Sequence, residues 1–132
     1  DQPLLGLLSM ILPCIASGNR VVAVPSLKAA LIVADFYQLL DTSDVPGGVI
    51  NLVTGVPSEL ATVLAAHDDV AAIWAVGPAD ECEQIKKESA GNLKRVWTSD
   101  GKSPDWYDSQ AEGSSWLERA TQVKNIWVPY GE

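Results

Sequence analysis

The chain has 132 residues, which suffices for one hydrophobic core of ordinary size and is too short for two typical domains. Its residues are 47% hydrophobic and 20% charged, a balance typical of folded chains and not of disordered ones. The net charge of -8 argues against nucleic acid as a partner, because proteins that bind it concentrate positive charge. The one dense basic cluster, at Lys86, Lys87, Lys94 and Arg95, is diluted by glutamates and is typical of a solvated helix face.

The first apolar segment, PLLGLLSMILPCIASG, predicts a buried helix and not a membrane span. It is shorter than the ~20 residues that a span requires, and Asp1 stands where a signal peptide would carry positive charge. The helix is expected to stop at Gly18-Asn19. A helix this apolar needs a neighbour to cover it, so the chain is expected to begin inside a longer protein.

The chain up to Pro104 alternates short apolar runs with longer helical patterns. Strands are predicted at residues 21–24 (VVAV), 49–53 (VINLV), 70–76 and 92–97 (NLKRVW), with helices between them. Such alternation forces right-handed crossovers between parallel strands. The sequence therefore predicts an α/β fold, with a Rossmann-like parallel sheet and helices on both of its faces.

The helix starts carry recognisable signals. Ser26 is expected to cap the second helix, Ser58 to start the third, and Gly77-Pro78 to open the fourth. In the second helix four apolar side chains lie near one face: Ala30, Leu31, Ala34 and Leu39.

A boundary is expected near Pro104, where the composition becomes polar and rich in turns. It divides a 1–104 unit from a 105–132 tail, in which SWLERATQ predicts a short helix and KNIWVPYG a last strand or an apolar arm. Four tryptophans of the last third are typical of a core or of a surface that docks onto another one. They are Trp97, Trp106, Trp116 and Trp127.

Neither the cysteines nor the histidine predicts a reactive or metal-binding site. Cys14 and Cys82 match no disulfide or metal spacing, which indicates reduced thiols in a cytoplasmic protein. Burial is expected to raise the pKa of the Cys14 thiol, and Glu81 and Glu83 oppose a thiolate at Cys82. The sole histidine, His67, is expected to cap the third helix, and without a Cys/His cluster no metal is predicted.

The segment NLKRVWTSDGKSP, at residues 92–104, contains a Gly-Lys-Ser of the kind found in phosphate loops. Such a loop needs a glycine five positions before its Gly-Lys, and Val96 stands there. A β-branched residue is a poor choice where the backbone must wrap phosphates. The sequence therefore disfavours a phosphate loop.

Several motifs occur in an order that resembles the nicotinamide-binding domain of the aldehyde dehydrogenase superfamily. They are PLLGLLSMILPCIASGNRVVAVPS, VPGGVINLVTG, LAAHDDV and NLKRV followed by GKSP, and they cover about residues 1 to 104. The chain looks most like the second, truncated copy in the double-domain family-16 proteins, a likeness to which ATQVKNIWVPYGE contributes. The tail at 105–132 would then be a remnant or the start of the catalytic or oligomerisation region.

The resemblance implies NAD as the family cofactor, with Pro25, Ser26, Gly55 and Gly77 at the positions that contact it. The family's Lys-Pro-Ser-Glu, which holds the adenosine ribose, is replaced here by Val-Pro-Ser-Leu at residues 24–27. At the pyrophosphate the family has Gly-Ser, whereas Gly77 is followed by a proline that has no N–H to donate. The resemblance thus predicts a weakened cofactor site.

The family's catalytic groups are replaced as well. Asp1 stands where the family has an asparagine that stabilises the oxyanion, and a carboxylate would repel that charge. Thr98 or Ser99 stands where the family has its general-base glutamate, and Asp100 is the one carboxylate nearby. No cysteine follows Cys82, so the expected nucleophile is absent from this chain.

Three hypotheses follow. The favoured one is a non-catalytic aldehyde-dehydrogenase-like domain, without a cofactor of its own, that packs against an active copy, supports oligomerisation or binds a partner protein. The second is the NAD-binding portion of an active NAD-dependent aldehyde oxidoreductase whose thiol lies elsewhere in the parent chain. The third is an unrelated βαβ domain that binds another small ligand. The favoured partner is therefore a protein, the rest of the parent chain or a second copy, and neither nucleic acid nor a membrane.

Overall fold

The computed structural model describes residues 2–131, apart from the side chains of Ala30 and Gln110. Asp1, at the family's oxyanion position, and the Ala30 side chain, predicted on the apolar face of the second helix, therefore lie outside the described structure. Residues 2–131 form five α-helices and four β-strands. In chain order they are α1 (Pro3–Ala16), β1 (Val21–Ala23), α2 (Ala30–Asp41), β2 (Ile50–Leu52), α3 (Pro57–Ala66), β3 (Ala72–Ala75), α4 (Ala79–Glu88), β4 (Arg95–Thr98) and α5 (Ser114–Ala120).

The strands pair in parallel, which confirms the predicted α/β fold. They are shorter than predicted, at three or four residues each, and β1 pairs with β2 while β3 pairs with β4. The described residues thus contain two sheets of two strands each. In the second sheet Trp74 lies beside Trp97, a pairing that places two indoles next to each other.

Each sheet has its own small core. The first core is centred on Ile11 of α1, Ala23 of β1 and Ile50 of β2. The second is centred on Ala65 of α3, Ile73 of β3 and Ile85 of α4. The fold thus has two halves, one around β1 and β2 and one around β3 and β4. Because neither core is large, the contacts between these halves have a strong influence on stability.

The first helix is less buried than its sequence predicts. Of its residues only Gly6 and Ile11 are buried, and Leu12 is 49% exposed. The helix ends as predicted, since Gly18 adopts a positive φ of 79° and the N–H of Asn19 donates to the Cys14 carbonyl over 3.0 Å. No helix within residues 2–131 is long and apolar enough to cross a membrane.

The helix starts differ from the predicted ones by one to three residues. A 3₁₀ turn at Leu27–Ala29 precedes α2, and Ser26 Oγ accepts the N–H of Lys28 in that turn over 3.4 Å. Ser26 therefore caps the turn and not α2. Helix α3 begins one residue early at Pro57, because proline is pre-organised for the first helical position.

The apolar face predicted in α2 points towards solvent. Leu31 is 84% exposed and Leu39 is 61% exposed, whereas Val33, on another face, is buried. The helix thus packs through Val33 and leaves a stripe of leucines uncovered.

A cluster of four tryptophans joins the second sheet to the tail. Trp116 of α5 is buried and packs against Trp74 and Trp97, with ring centroids 5.3 Å and 4.9 Å away. Its third neighbour is Trp106, at 5.9 Å. The guanidinium of Arg119 lies 5.6 Å from the Trp97 centroid, within reach of a cation–π interaction.

The same cluster contacts the first helix. A Cβ atom at Gly6 would lie 2.7 Å from Nε1 of Trp106, so the indole can approach α1 this closely only at a glycine. Near the end of α5, the Ala120 carbonyl accepts a hydrogen bond of 2.8 Å from Asn19 Nδ2. The predicted short helix is therefore confirmed, and it links the two halves of the fold.

Lys94 was predicted on a solvated basic face, and this prediction is wrong. Its side chain is buried, and its Nζ donates to the carbonyls of Leu64 and His67 over 3.2 Å and 2.7 Å. The same two carbonyls also accept the backbone N–H groups of His67 and Val70, so the buried ammonium is an additional, charged donor at the end of α3. His67 does stand at the C-cap of α3, and its Nδ1 accepts the N–H of Asp69 over 3.2 Å.

We expect Trp116→Ala to lower the free energy of unfolding by about 3–5 kcal/mol, because it leaves a cavity among three other indoles. Urea denaturation followed by far-UV circular dichroism measures the change. Trp127→Ala is the matched control, since Trp127 is 90% exposed and its loss should alter stability by under about 0.5 kcal/mol. Equal effects of the two substitutions would contradict the central role of Trp116.

We expect Lys94→Met to lower the free energy of unfolding by roughly 1–3 kcal/mol, because it removes the hydrogen bonds of a charged donor to two carbonyls at the end of α3. The exposed Lys87→Met serves as its control and should cost under about 1 kcal/mol. Loss of amide protection at the end of α3, measured by hydrogen exchange, would identify the cause as the missing cap.

Candidate functional site

Ligands of parallel α/β sheets bind beyond the carboxyl ends of the strands. Three of the predicted cofactor positions, Pro25, Ser26 and Gly55, follow the strands of the first sheet. The fourth, Gly77, follows β3 and lies beside the turn that follows β4. The structure thus places the predicted ribose end and the predicted phosphate end on different sheets.

The segment after β1 offers few polar groups to a ligand. Pro25 is buried, and Ser26, although exposed, accepts a hydrogen bond from the Lys28 N–H. Val24 is half-buried and Leu27 is exposed at the two positions where the resemblance implies a lysine and a glutamate. This segment therefore presents an aliphatic surface.

Gly55 follows β2 and is covered by a side chain of α3. A Cβ atom at Gly55 would lie 2.9 Å from Cδ1 of Leu60. The glycine thus admits a leucine against its backbone, which accounts for its presence without a ligand.

The backbone polar groups of Gly77 are already used within the chain. Its N–H donates to Ser99 Oγ over 3.3 Å. Its carbonyl accepts the N–H of Gly101 over 3.2 Å and the thiol of Cys82 over 3.6 Å. The glycine that would face the pyrophosphate is therefore held by the turn after β4 and by α4.

The residues at the N-terminus of α4 are unfavourable for an anion. Pro78 is its N-cap and has no N–H, while Asp80 and Glu81 place two carboxylates in the first turn. Oε2 of Glu81 lies 3.3 Å from the position that a Cβ atom of Gly77 would occupy. These carboxylates interact favourably with the positive end of the helix dipole and would repel a phosphate there.

The Gly-Lys-Ser segment forms a tight turn and not a phosphate cradle. Asp100 and Gly101 have positive φ values of 50° and 77°, and the N–H of Lys102 donates to the Ser99 carbonyl over 3.0 Å. A Cβ atom at Gly101 would lie 3.3 Å from the backbone nitrogen of Ala79, so the turn packs directly on the start of α4.

Asp100, the carboxylate nearest the family's base position, forms an ion pair. Its Oδ1 accepts hydrogen bonds of 2.5 Å from Lys86 Nζ and 2.6 Å from Thr98 Oγ1. The hydrogen bonds from Lys86 and Thr98 lower the pKa of Asp100, and the Asp100 partner raises the pKa of Lys86. A carboxylate with a lowered pKa is a weaker base, so the geometry is that of a structural pair.

Neither thiol is freely presented to a substrate. The Cys14 thiol is half-buried and donates to the Met10 carbonyl over 3.4 Å, and burial raises its pKa as predicted. Cys82 is buried at 1% exposure, and its thiol donates to the Gly77 carbonyl over 3.6 Å. Within residues 2–131 no group of three acidic, histidine or cysteine side chains is placed to hold a metal.

Sequence reasoning missed two contacts in the candidate site. The Ser99 hydroxyl was noted only as an unsuitable base, yet it occupies the N–H of Gly77. Lys86 was assigned to a solvated face, yet it pairs with Asp100. The alignment of β3 with β4 would have indicated the contact of Ser99 with Gly77, because it brings residues 75 and 98 side by side.

The Lys86–Asp100 pair predicts a pH dependence of stability. Because the pKa of Asp100 is lowered on folding, its contribution is present above about pH 4 and is lost as the pH falls through its folded value. Because the pKa of Lys86 is raised, its contribution is present below about pH 10 and is lost as the pH rises through its folded value.

We therefore expect Asp100→Asn to lower the urea midpoint of unfolding at pH 7 and to have little effect on it at pH 2. Asp44→Asn, at another exposed site, is the control and should show no such difference. A shift from Asp100→Asn that is equally large at both pH values would contradict the ion-pair account.

A model of the aldehyde dehydrogenase family matches residues 1–121. The NADP/NAD-dependent aldehyde dehydrogenase PuuC of Escherichia coli is 36% identical over 90 residues, which are 67% of this chain and 18% of that protein. The 2-aminomuconic semialdehyde dehydrogenase of Mus musculus is 37% identical over 96 residues, which are 73% of this chain and 20% of that protein.

A solved structure also resembles the chain. It is a mutant of aldehyde dehydrogenase C from Pseudomonas syringae in complex with NAD+ and octanal, 33% identical, with a TM-score of 0.69 over 73% of this chain and 20% of that one. The chain spans about a fifth of the length of the relatives it matches. The motif resemblance is thereby confirmed, and the chain belongs to the aldehyde dehydrogenase family.

Proposed function

We propose that this chain is a non-catalytic member of the family whose role is structural, as in a truncated second copy. It would pack against an active copy or the rest of a parent chain, support oligomerisation, or bind a partner protein. The observation that carries this proposal is that Ser99 already accepts the N–H of Gly77, while Pro78 and Glu81 stand at the start of α4. The Rossmann-like fold of the family is present, but its phosphate end offers no donor at Pro78 and a carboxylate at Glu81.

The cost of binding a dinucleotide supports the same conclusion. A pyrophosphate at Gly77 would have to displace Ser99 from the only N–H of that glycine and to approach the Glu81 carboxylate. A buried donor or acceptor that loses its partner costs roughly 1–3 kcal/mol. At the ribose end Val24 and Leu27 offer no hydrogen bonds to repay that cost.

A second candidate is the cofactor portion of an active NAD-dependent aldehyde oxidoreductase. It is favoured by the solved relative that was crystallised with NAD+ and octanal. In this case the nucleophile would come from another part of the parent protein. The two candidates differ in whether this chain retains affinity for the cofactor.

Titration of NAD and NADP into the purified chain separates the candidates. We expect no saturable change in tryptophan fluorescence or melting temperature at millimolar cofactor, because the phosphate end is closed. The Pseudomonas syringae enzyme is the positive control. Saturation below roughly 100 µM would support the second candidate, since it corresponds to more than about 5 kcal/mol of binding free energy.

A pair of double variants tests the stated cause. Pro78→Ser with Glu81→Gln restores a donor and removes the carboxylate next to Gly77, whereas Pro78→Ser with Glu83→Gln makes the same charge change further along α4. We expect the variant with Glu81→Gln to bind inorganic pyrophosphate about two- to fivefold more tightly than the variant with Glu83→Gln, the size of a helix-dipole effect. Equal affinities would show that Glu81 does not close the site.

A further inference from the structure

The turn after β4 contains the only Asp-Gly pair of the sequence, Asp100-Gly101, and no asparagine of the sequence is followed by glycine. The Asp100 side chain is 57% exposed, and both residues have positive φ values. An aspartate followed by glycine is prone to a spontaneous rearrangement of its backbone, because glycine has no Cβ atom to shield its nitrogen. The pair is therefore the place in this chain where such a rearrangement is chemically easiest.

The rearrangement needs no reactant other than water. The backbone nitrogen of Gly101 attacks Cγ of the protonated Asp100 carboxyl, and the new N–C bond closes a succinimide ring. The carboxyl O–H leaves together with the N–H proton as one molecule of water. Water then opens the ring at one of its two carbonyl carbons. Opening at Cγ returns aspartate, and opening at the backbone carbonyl gives isoaspartate, in which the main chain runs through the former side chain.

The carboxylate of Asp100 is held by two donors from different elements. Its Oδ1 accepts hydrogen bonds of 2.5 Å from Lys86 Nζ on α4 and of 2.6 Å from Thr98 Oγ1 on β4. A large rotation of the side chain would break both contacts, so together they restrict its rotamer freedom. The carboxyl carbon is thus less free to adopt the geometry of attack than it is in an unfolded chain.

The charge of the same carboxylate opposes the reaction as well. A carboxylate oxygen cannot leave as water until the group is protonated. The hydrogen bonds from Lys86 and Thr98 lower the pKa of Asp100, and the positive charge of Lys102 in the same turn acts in the same direction. The folded turn therefore keeps the carboxyl in its unreactive, ionised form at neutral pH.

The attacking nitrogen is also engaged. The N–H of Gly101 donates to the Gly77 carbonyl over 3.2 Å, and the nitrogen must give up this proton during ring closure. The turn packs directly on the start of α4, where a Cβ atom at Gly101 would lie 3.3 Å from the Ala79 nitrogen. Both reacting groups are thus held by contacts that exist only in the folded turn.

We infer that Asp100-Gly101 is a site of isoaspartate formation in this protein, and that Lys86 and Thr98 suppress the reaction while the turn is folded. Isoaspartate adds one backbone atom, Cβ, between residues 100 and 101. The Gly101 N–H then no longer stands at its present distance from the Gly77 carbonyl, so the modification loosens the turn. This inference concerns the turn alone and does not depend on the proposed function.

Incubation of the full chain at neutral pH in water that carries heavy oxygen measures the reaction. Each ring opening leaves one labelled oxygen in the product, whether that product is aspartate or isoaspartate. Trypsin, used afterwards in ordinary water, releases residues 96–102 (VWTSDGK), in which mass spectrometry counts the label and chromatography separates the isoaspartate form.

A synthetic peptide of residues 96–102 is the unprotected reference. We expect the folded chain to react at least about tenfold more slowly than this peptide, because its reaction must wait for local opening of the turn. Equal rates in the chain and in the peptide would overturn the inference.

Matched variants identify the protecting contact. Lys86→Met removes the ion pair, and Lys87→Met makes the same change of charge at the next, exposed position of α4. We expect Lys86→Met to react about threefold or more faster than Lys87→Met, because Asp100 regains rotamer freedom. Equal rates of the two variants would contradict the role of Lys86.

Two further variants keep the test decisive. Thr98→Val removes the second donor without a change of charge and retains a β-branched residue in the strand, so it should react faster than wild type while far-UV circular dichroism shows an intact fold. Asp100→Glu keeps a carboxylate but would need a six-membered ring, which closes slowly, so label should be lost from the peptide. Label that persists in Asp100→Glu would show that residue 100 is not the reacting site.

Discussion

Packing around Trp116 is the interaction on which the rest of this structure depends. The two strand pairs have separate small cores, and neither core extends into the other. Trp116 contacts both strands of the second sheet through Trp74 and Trp97, and through Trp106 it is connected to Gly6 of the first helix. Aromatic contacts of this kind add about 0.5–1.5 kcal/mol each to the burial of their area.

The phosphate end of this fold is unfavourable for a dinucleotide, and the apolar arm at residues 121–131 is exposed. A dinucleotide site requires free N–H groups and an open helix terminus. Here Ser99 accepts the N–H of Gly77, Pro78 has no N–H to offer, and the Glu81 carboxylate lies in the first turn of α4. The exposed apolar side chains lie elsewhere, on α2 and on residues 121–131, where Leu31 and Trp127 are 84% and 90% exposed.

The sequence was most informative where local signals decide the structure. The parallel α/β fold, the stop at Gly18 and the short helix that contains Trp116 were predictable from periodicity and turn residues. Contacts between distant segments were not. Lys94 reads as one of several surface lysines, and only the position of the α3 carbonyls makes it a buried cap.

The sequence indicated which family residues are replaced in the candidate site, but not how the residues present are arranged. The family motifs indicated that Gly77 lacks a serine beside it, but strand pairing was needed to place Ser99 on its N–H. In α2 the leucines at positions 31 and 39 resemble a core face in sequence, but the helix packs through the face that carries Val33. Periodicity identifies a face and leaves its direction to tertiary packing.

Four of the five tryptophans form one cluster around Trp116, and the fifth, Trp127, is exposed. Tryptophan fluorescence can therefore report on two separate parts of the protein. The clustered indoles emit from a shielded setting and exchange excitation with one another, whereas the lone indole at position 127 emits from water at longer wavelength. Emission at shorter wavelengths therefore follows unfolding of the tryptophan cluster. Emission at longer wavelengths follows burial of Trp127 in residues 121–131. Both events are visible in a single unlabelled spectrum.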